Sequence, residues 1–196
     1  QETSIRTLPW TFPDEECALL KSSYQNARTI LEYGSGGSTV FAACETDARV
    51  LSIESDRKWS INLNKLLETR GIDPEQARAE WVNIGKTKKW GYPEDSRRWK
   101  NYPDYVLRPW DDGYDPDLVL IDGRFRRACF AAVLMGCKRD TTILFDDYSS
   151  RETYQQVENF LKPVEVVGRL ARFEATPALV PHDAFLAMVR WFFKVN

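Results

Sequence analysis

Residues 29–39 read TILEYGSGGST, an apolar run that ends in a glycine-rich turn. Four of the first five residues are β-branched or apolar, the exception being Glu32, and they predict a buried strand. Gly34 stops this run, and the residues VFAACE that follow the turn predict a helix. The stretch is therefore a strand, a glycine turn and a helix, which is the opening of a βαβ unit.

The same alternation recurs along the chain. Further strand-like runs are RVLSIE at 49–54, AEWVNIG at 79–85, DLVLIDG at 117–123 and TTILFDD at 141–147. Helical patterns follow at 56–71, 126–138 and 152–162. Strands that are apolar almost throughout are typical of parallel sheets with helices on both faces. The sequence predicts a doubly wound, mostly parallel α/β sheet.

Two segments depart from this alternation. The runs at 164–175 and 183–195 have no helical pattern between them, so we expect them to form an antiparallel hairpin that completes a seven-stranded sheet. Residues 85–116 are rich in proline, glycine and aromatic residues, and a connection of this length is usually functional or disordered. We expect a single domain over 1–196 with an insert at about 85–116.

The composition excludes some partners and compartments. The chain has 27 Lys and Arg against 29 Asp and Glu, so no net field attracts nucleic acid or an anionic membrane. It has no apolar run long enough to span a bilayer, and QETSIRTLPWTFPDEE at the start lacks the apolar stretch of a signal peptide. We therefore expect a cytoplasmic protein without a membrane partner.

The cysteines and the histidine do not suggest a metal site. Cys17, Cys44, Cys129 and Cys137 lack the spacing of metal ligands, so we expect them to be reduced and to pack as small hydrophobic residues. His182 is the one histidine of the sequence and lies in a proline-flanked turn, which favours a surface role.

The glycine turn has the features of a nucleotide-binding site. Gly34 and Gly36 let a ligand approach the backbone, and the helix after them offers free N–H groups. Glu54 ends the second strand, where an acid can accept hydrogen bonds from both ribose hydroxyls. A dinucleotide fingerprint would need glycine where Thr39 stands, and no Gly-Lys follows for a phosphate loop.

The turn EYGSGGST at 32–39, together with Glu54, resembles the first motif of class I S-adenosylmethionine-dependent methyltransferases. That family also has a seven-stranded sheet with a terminal hairpin, so the resemblance covers about residues 27–195. It implies S-adenosylmethionine as cofactor. The residues implied to bind it are Glu32, Gly34, Ser35, Gly36, Ser38, Thr39, Glu54, Asn83, Ile84 and Asp122. A nicotinamide-dependent oxidoreductase on the same fold is the alternative of another class.

Three acids, Asp122, Asp146 and Asp147, end the fourth and fifth predicted strands. Their positions are similar to the acidic ligands of catechol-type and macrocin-type O-methyltransferases, which implies a catalytic role for Asp122 and Asp146. Three convergent carboxylates can also bind Mg²⁺. A partner such as Arg124 or Arg127 would remove the need for a metal.

The acceptor of the methyl group is the more open question. The insert is basic and aromatic up to Arg108, so it can stack on a planar acceptor, grip an anionic one, contact RNA, or pack on the domain as a flap. We expect a small-molecule acceptor with a reactive hydroxyl, and an RNA acceptor is the alternative. The residues expected to bind the acceptor are Trp90, Tyr92, Arg124 and Tyr148. The oligomeric state and the pathway stay open.

Overall fold

The computed structural model of the protein describes residues 12–178 and 180–195. Residues 1–11 lie outside this range. They include most of the segment at 1–16 in which the sequence shows no apolar stretch typical of a signal peptide. The strands of the described residues are β1 (Thr29–Tyr33), β2 (Arg49–Glu54), β3 (Ala77–Trp81), β4 (Leu118–Ile121), β5 (Thr141–Phe145), β6 (Glu165–Val167) and β7 (Leu170–Ala175). The helices are α1 (Asp14–Asn26), α2 (Gly37–Glu45), α3 (Arg57–Thr69), α4 (Tyr102–Asp111), α5 (Arg126–Gly136), α6 (Glu152–Gln155) and α7 (His182–Val189).

The strands form one mixed sheet in the order β3-β2-β1-β4-β5-β7-β6. Strands β1 to β5 are parallel to their neighbours, while β7 is antiparallel to both β5 and β6. The expected α/β class and the seven strands are therefore confirmed. Strand order reverses between β1 and β4, and in open α/β sheets ligands bind beyond the carboxyl ends of the strands at such a point.

The terminal hairpin is built differently from the prediction. Both of its strands come from residues 164–175, joined by a tight turn at Gly168, whose φ is +55°. The run at 183–195 is helical, so its assignment to a strand was wrong. Its buried residues are Ala184, Met188, Trp191 and Phe192, and the steps of four and three positions from Ala184 to Met188 and on to Trp191 are the spacing of one helix face.

The insert is half loop and half helix. Residues 86–94, which we call the strap, form a short hairpin-like loop in which the backbone of Lys88 donates to Tyr92 and that of Glu94 donates to Lys86. Helix α4 follows at 102–111, and its Tyr102 and Tyr105 are buried in the core. The second half of the insert thus contains the helix that crosses from β3 to β4, which the sequence pattern did not indicate.

Helices cover both faces of the sheet. On one face α4, α5 and α7 pack on Tyr33, Ile121 and Phe145, and on the other face α1, α2 and α3 pack on Ile30 and Leu120. Helix α1 was not predicted, although its Leu20 and Tyr24 are fully buried. None of the described helices is long and apolar enough to cross a membrane.

Strand β3 forms one edge of the sheet, and α3 lies beside it. The Asn64 side chain donates to the carbonyl oxygen of Ala79 and accepts from its N–H, both at 2.8 Å. The Ser60 hydroxyl donates to the same carbonyl oxygen at 2.8 Å. Side chains of the neighbouring helix therefore occupy the backbone groups in the middle of this edge strand.

Candidate functional site

The floor of the cleft lies where β1 and β4 end side by side. Gly34 has a φ of +95°, and a Cβ added to it would lie 2.9 Å from the backbone nitrogen of Gly123. A Cβ on Gly123 would lie 2.2 Å from the hydroxyl oxygen of Tyr105 and 2.7 Å from the nitrogen of Gly34. Both positions need glycine because the two turns approach too closely for a side chain. The Tyr105 hydroxyl, which the sequence did not single out, donates to the carbonyl oxygen of Ile53 at 3.3 Å.

Glu32 holds the glycine turn from inside the protein. It is fully buried, and its carboxylate accepts from Tyr24 at 2.7 Å and from Thr39 and Ser52 at 2.5 Å each. Thr39 in turn accepts from the backbone N–H of Gly36 at 3.1 Å. Because Glu32 and Thr39 have no exposed surface, they position the turn, and direct contact between their side chains and a ligand is not supported.

Glu54 lies at the carboxyl end of β2, beside the glycine turn. One carboxylate oxygen accepts from the backbone N–H groups of Ser55 and Asp56 at 2.7 and 2.9 Å. The other accepts from the Ser35 hydroxyl at 2.9 Å. Burial raises the pKa of Glu54, although these hydrogen bonds oppose the rise. The second oxygen has a single exchangeable hydroxyl donor and is the one suited to bind a ligand.

The start of α2 is open above the turn. A Cβ added at Gly36 would meet no atom within 4 Å, so the backbone there borders empty space. Ser38 follows in the first turn of α2 and is buried. The indole N–H of Trp59 donates to the carbonyl oxygen of Ser35 at 2.9 Å and so fixes the turn from the side of α3.

The residues after β3 divide between core and surface. Asn83 is exposed, and its side chain accepts from the backbone N–H of Gly85 at 3.1 Å. Ile84 was expected to contact the cofactor, but it is fully buried in the core, so contact between its side chain and a ligand is not supported. The strap then returns over β2, where the carbonyl oxygen of Gly91 accepts from the Ser55 hydroxyl at 2.9 Å. The strap thus lies beside Glu54.

The three acids expected at the strand ends do converge, and they surround Arg126. This arginine is 4% exposed and lies 3.0 Å from Asp122, 3.6 Å from Asp146 and 3.3 Å from Asp147. It also donates to the carbonyl oxygens of Gly123, Asp122 and Asp146 at 2.6–3.0 Å. The guanidinium group is therefore held in one orientation at the centre of the cluster.

Two more arginines complete the pairing of the acids. Arg169 donates to Asp146 at 2.9 Å, and Arg151 lies 3.3 Å from Asp147. The described residues contain no group of three His, Cys, Asp or Glu side chains arranged to hold a metal ion. The expected Mg²⁺ site at Asp122, Asp146 and Asp147 is therefore not supported, because arginines occupy the positions between these carboxylates.

The sequence pointed to the wrong arginines as partners of the acids. Arg124 and Arg127 were the candidates, but Arg126 lies four residues after Asp122 and ion-pairs with it at the start of α5. The i,i+4 spacing in IDGRFR was the available signal. Asp146, at 2% exposure, is enclosed by Arg126 and Arg169, so direct contact between its side chain and a substrate is not supported.

Asp122 gives the site a pH dependence. Burial, together with the carboxylates of Asp146 and Asp147, raises its pKa above the ordinary 3.8, while Arg126 opposes the rise. Above pH 3.8 the folded state then binds more protons than the unfolded chain, so the free energy of unfolding falls as the pH rises toward the raised pKa. We expect the free energy of unfolding, measured with urea between about pH 5 and 7, to change less with pH in Asp122→Asn than in the wild type. An equal change with pH in both proteins would contradict the raised pKa.

The expected acceptor residues fall in different places. Tyr92, in the strap, packs its ring against Arg124, with the guanidinium carbon 3.9 Å from the ring centroid. Trp90 is 69% exposed at the tip of the strap. Tyr148 is buried against Phe145 and Phe173 and hydrogen-bonds to Glu158, so its predicted contact with the acceptor is not supported.

The fold has parallels among known proteins. No family model and no curated protein sequence matches the chain. A methyltransferase-like protein from Silicibacter pomeroyi is 39% identical over 97% of this chain and 99% of its own, with a TM-score of 0.90.

More distant structures share only the fold. A putative caffeoyl-CoA O-methyltransferase from Staphylococcus aureus is 15% identical over 86% of each chain, with a TM-score of 0.54. An RNA methyltransferase from Salinibacter ruber, in complex with S-adenosyl-L-homocysteine, is 13% identical over 89% of this chain and 99% of its own, with a TM-score of 0.52. The chain has the class I methyltransferase fold and belongs to the family of methyltransferase-like proteins that the Silicibacter pomeroyi protein represents.

Proposed function

We propose that this protein is an S-adenosylmethionine-dependent methyltransferase that acts on a hydroxyl oxygen of a small molecule. The observation that carries the proposal is the pairing of Glu54 with Ser35 beside the open backbone of Gly36. An acid at the end of β2 and an uncovered glycine turn after β1 are what an adenosine cofactor needs at a switch point. The neighbours of known structure are methyltransferases, which supports the general activity.

The residues present fit this cofactor. The Glu54 oxygen that now accepts from Ser35 can accept from ribose hydroxyls instead. The space above Gly36 is the cradle that a Cβ would fill. Asn83 is exposed and follows β3, at the carboxyl ends of the parallel strands. It is the proposed contact for the adenine ring of the cofactor. When bound, S-adenosylmethionine supplies a methyl group on a cationic sulfur.

Asp122 is the proposed general base for the acceptor hydroxyl. Its side chain is 32% exposed at the end of β4, while that of Asp146 is 3% exposed. Because its pKa is raised above the ordinary value, Asp122 is a stronger base than an ordinary carboxylate whenever it is ionised. Arg126 orients it through the 3.0 Å ion pair, so the base is fixed relative to the floor of the cleft.

Calorimetric titration with S-adenosylhomocysteine tests the cofactor site. Glu54→Gln keeps one acceptor for the backbone N–H groups but replaces the other with a donor, so we expect affinity to fall about tenfold to a hundredfold. Gly36→Ala fills the cradle and is expected to weaken binding at least tenfold, by about 1.4 kcal/mol or more. Glu68→Gln, an exposed acid on α3, is the matched control and is expected to bind like the wild type.

Two results would reverse this proposal. Binding of NADH without binding of S-adenosylhomocysteine would favour the oxidoreductase. A steeply salt-dependent affinity for RNA fragments would favour an RNA acceptor. One observation supports that second function, since the exposed rings of Trp90 and Trp99 have the ammonium groups of Lys89 and Lys100 at 5.2 and 6.0 Å. Buried Tyr102 contributes nothing to such a surface.

A further inference from the structure

Arg124 is a buried cation with an incomplete set of partners. It is 9% exposed, and its Nε atom is buried without a hydrogen bond to any described residue. Its guanidinium group stacks on Tyr92, and no carboxylate among residues 12–178 and 180–195 forms an ion pair with it. A buried charge without a counter-ion is costly, so such a group is expected to have a ligand as its partner.

The acids around Arg124 already have other cations as partners, so Arg124 is an excess positive charge. The neighbouring acids Asp122, Asp146 and Asp147 are already paired with Arg126, Arg169 and Arg151. With all three acids ionised, three carboxylates face three guanidinium groups, so Arg124 adds a fourth positive charge. Protonation of Asp122, which its raised pKa favours, makes the positive excess larger. An anion at this place would balance the cluster.

Tyr92 brings a further polar group to the same place. Burial favours its neutral form, but the hydrogen bond from Arg151 and the charge of Arg124 outweigh this and lower the pKa of Tyr92 below the ordinary 10.0. The phenol thus lies between two cations, and its environment favours negative charge. The strap fixes it there, because Gly91 is tied to Ser55 and Lys88 donates to the Tyr92 carbonyl oxygen at 2.8 Å.

We propose that Arg124, Arg151 and Tyr92 bind an oxyanion, a carboxylate or a phosphate group, that belongs to the methyl acceptor. Planar guanidinium groups bind both anions through paired N–H donors. Arg151 lies 3.3 Å from Asp147, and Arg126 lies 3.3 Å from Asp147 and 3.0 Å from Asp122, so this chain of ion pairs connects the anion site to the proposed base. The site rests on the proposed function only in that its ligand is the acceptor. The substrate class is a hydroxylated acid or a hydroxylated phosphate ester.

The test measures binding of inorganic phosphate and of benzoate to the full chain by calorimetry. We expect at least one of them to bind the wild type, and Arg124→Met to weaken that binding tenfold or more. Arg97→Met is the matched control, since this exposed arginine lies in the insert and its ion pair among the described residues is with Asp95. It is expected to leave the affinity unchanged. Tighter binding of phosphate than of benzoate identifies a phosphate ester, and the reverse order identifies a carboxylate.

A second measurement locates the anion. A bound anion opposes the phenolate, so saturating phosphate or benzoate is expected to raise the pKa of Tyr92. Ultraviolet difference titration reports it, because burial raises the pKa of Tyr24, Tyr33 and Tyr105 and separates them from Tyr92. Tyr92→Phe is expected to remove the phenol that titrates first.

The outcomes separate this inference from the proposed function. Three results would overturn the oxyanion site. They are the absence of binding of either anion, an equal loss of anion affinity in Arg124→Met and Arg97→Met, and a pKa of Tyr92 that does not change when the anion is added. Binding of S-adenosylhomocysteine to Arg124→Met, with circular dichroism like that of the wild type, shows that this variant is folded. If the anion binds but S-adenosylhomocysteine does not bind the wild type, the proposed function fails and the oxyanion site stands.

Discussion

Arg126→Met is expected to lower the free energy of unfolding by about 3–5 kcal/mol, the usual cost of removing one partner from a buried ion pair. Methionine fills a similar volume but removes one ion-pair partner of the buried Asp146 carboxylate and the donor to three backbone carbonyl oxygens. Arg169 still pairs with Asp146 and limits the loss. Urea unfolding followed by circular dichroism measures the effect.

Arg108→Met is the matched control for this variant. Its side chain is 53% exposed and pairs with Glu80 at 2.9 Å and with Asp112 at 3.0 Å. Exposed ion pairs of this kind are worth about 0–1 kcal/mol, so the control is expected to stay close to the wild type. If both substitutions cost the same, the buried arginine does not hold the strand ends together as described.

Gly123→Ala is expected to destabilise the fold by about 3 kcal/mol or more, at the upper end of the cost of overpacking. The new methyl group would lie 2.7 Å from the backbone nitrogen of Gly34, so two turns must separate. It would also lie 2.2 Å from the hydroxyl oxygen of Tyr105 in the core. Because these turns form the floor of the cleft, S-adenosylhomocysteine binding is expected to be lost in the same variant.

Gly36→Ala separates the two effects of adding a methyl group near the cleft. Nothing lies within 4 Å of its added Cβ, and a φ of 170° is extended backbone that alanine also adopts. We expect thermal unfolding of this variant to match the wild type while cofactor binding is weakened. A Gly123→Ala variant as stable as Gly36→Ala would contradict the close approach of β1 and β4.

The parallel part of the fold was predictable because its signals are local. An apolar run, a glycine stop and a capped helix occur together in the sequence, as at Asp56, whose side chain accepts from the N–H of Trp59 in the first turn of α3. The run at 183–195 misled because Phe185 and Leu186 are apolar but exposed, which hides the spacing of the buried helix face. Pattern reasoning assumes that apolar residues are buried.

The sequence could predict which residues lie at the strand ends, but it could not predict what each of them does there. Glu54 and Asp122 follow strands, so their position at the edge of the sheet follows from topology alone. The roles of Tyr148 and Tyr105 depend on which side chains of distant elements surround them, and sequence spacing does not carry that information. The partner of the acids depended on where α5 begins, because its first residue, Arg126, pairs with Asp122, whereas Arg124 precedes the helix and stacks on Tyr92.

The side chain of Asn64 has a consequence for how copies of this chain can meet. An open edge strand invites a strand of another molecule to add to the sheet, which is a route to aggregation. At Ala79 both backbone groups of β3 already have partners in Asn64, so a strand approaching that edge would first have to displace this amide. The opposite edge, β6, is three residues long and offers little to pair with. Lateral growth of the sheet is therefore blocked at one edge by a side chain and limited at the other by length.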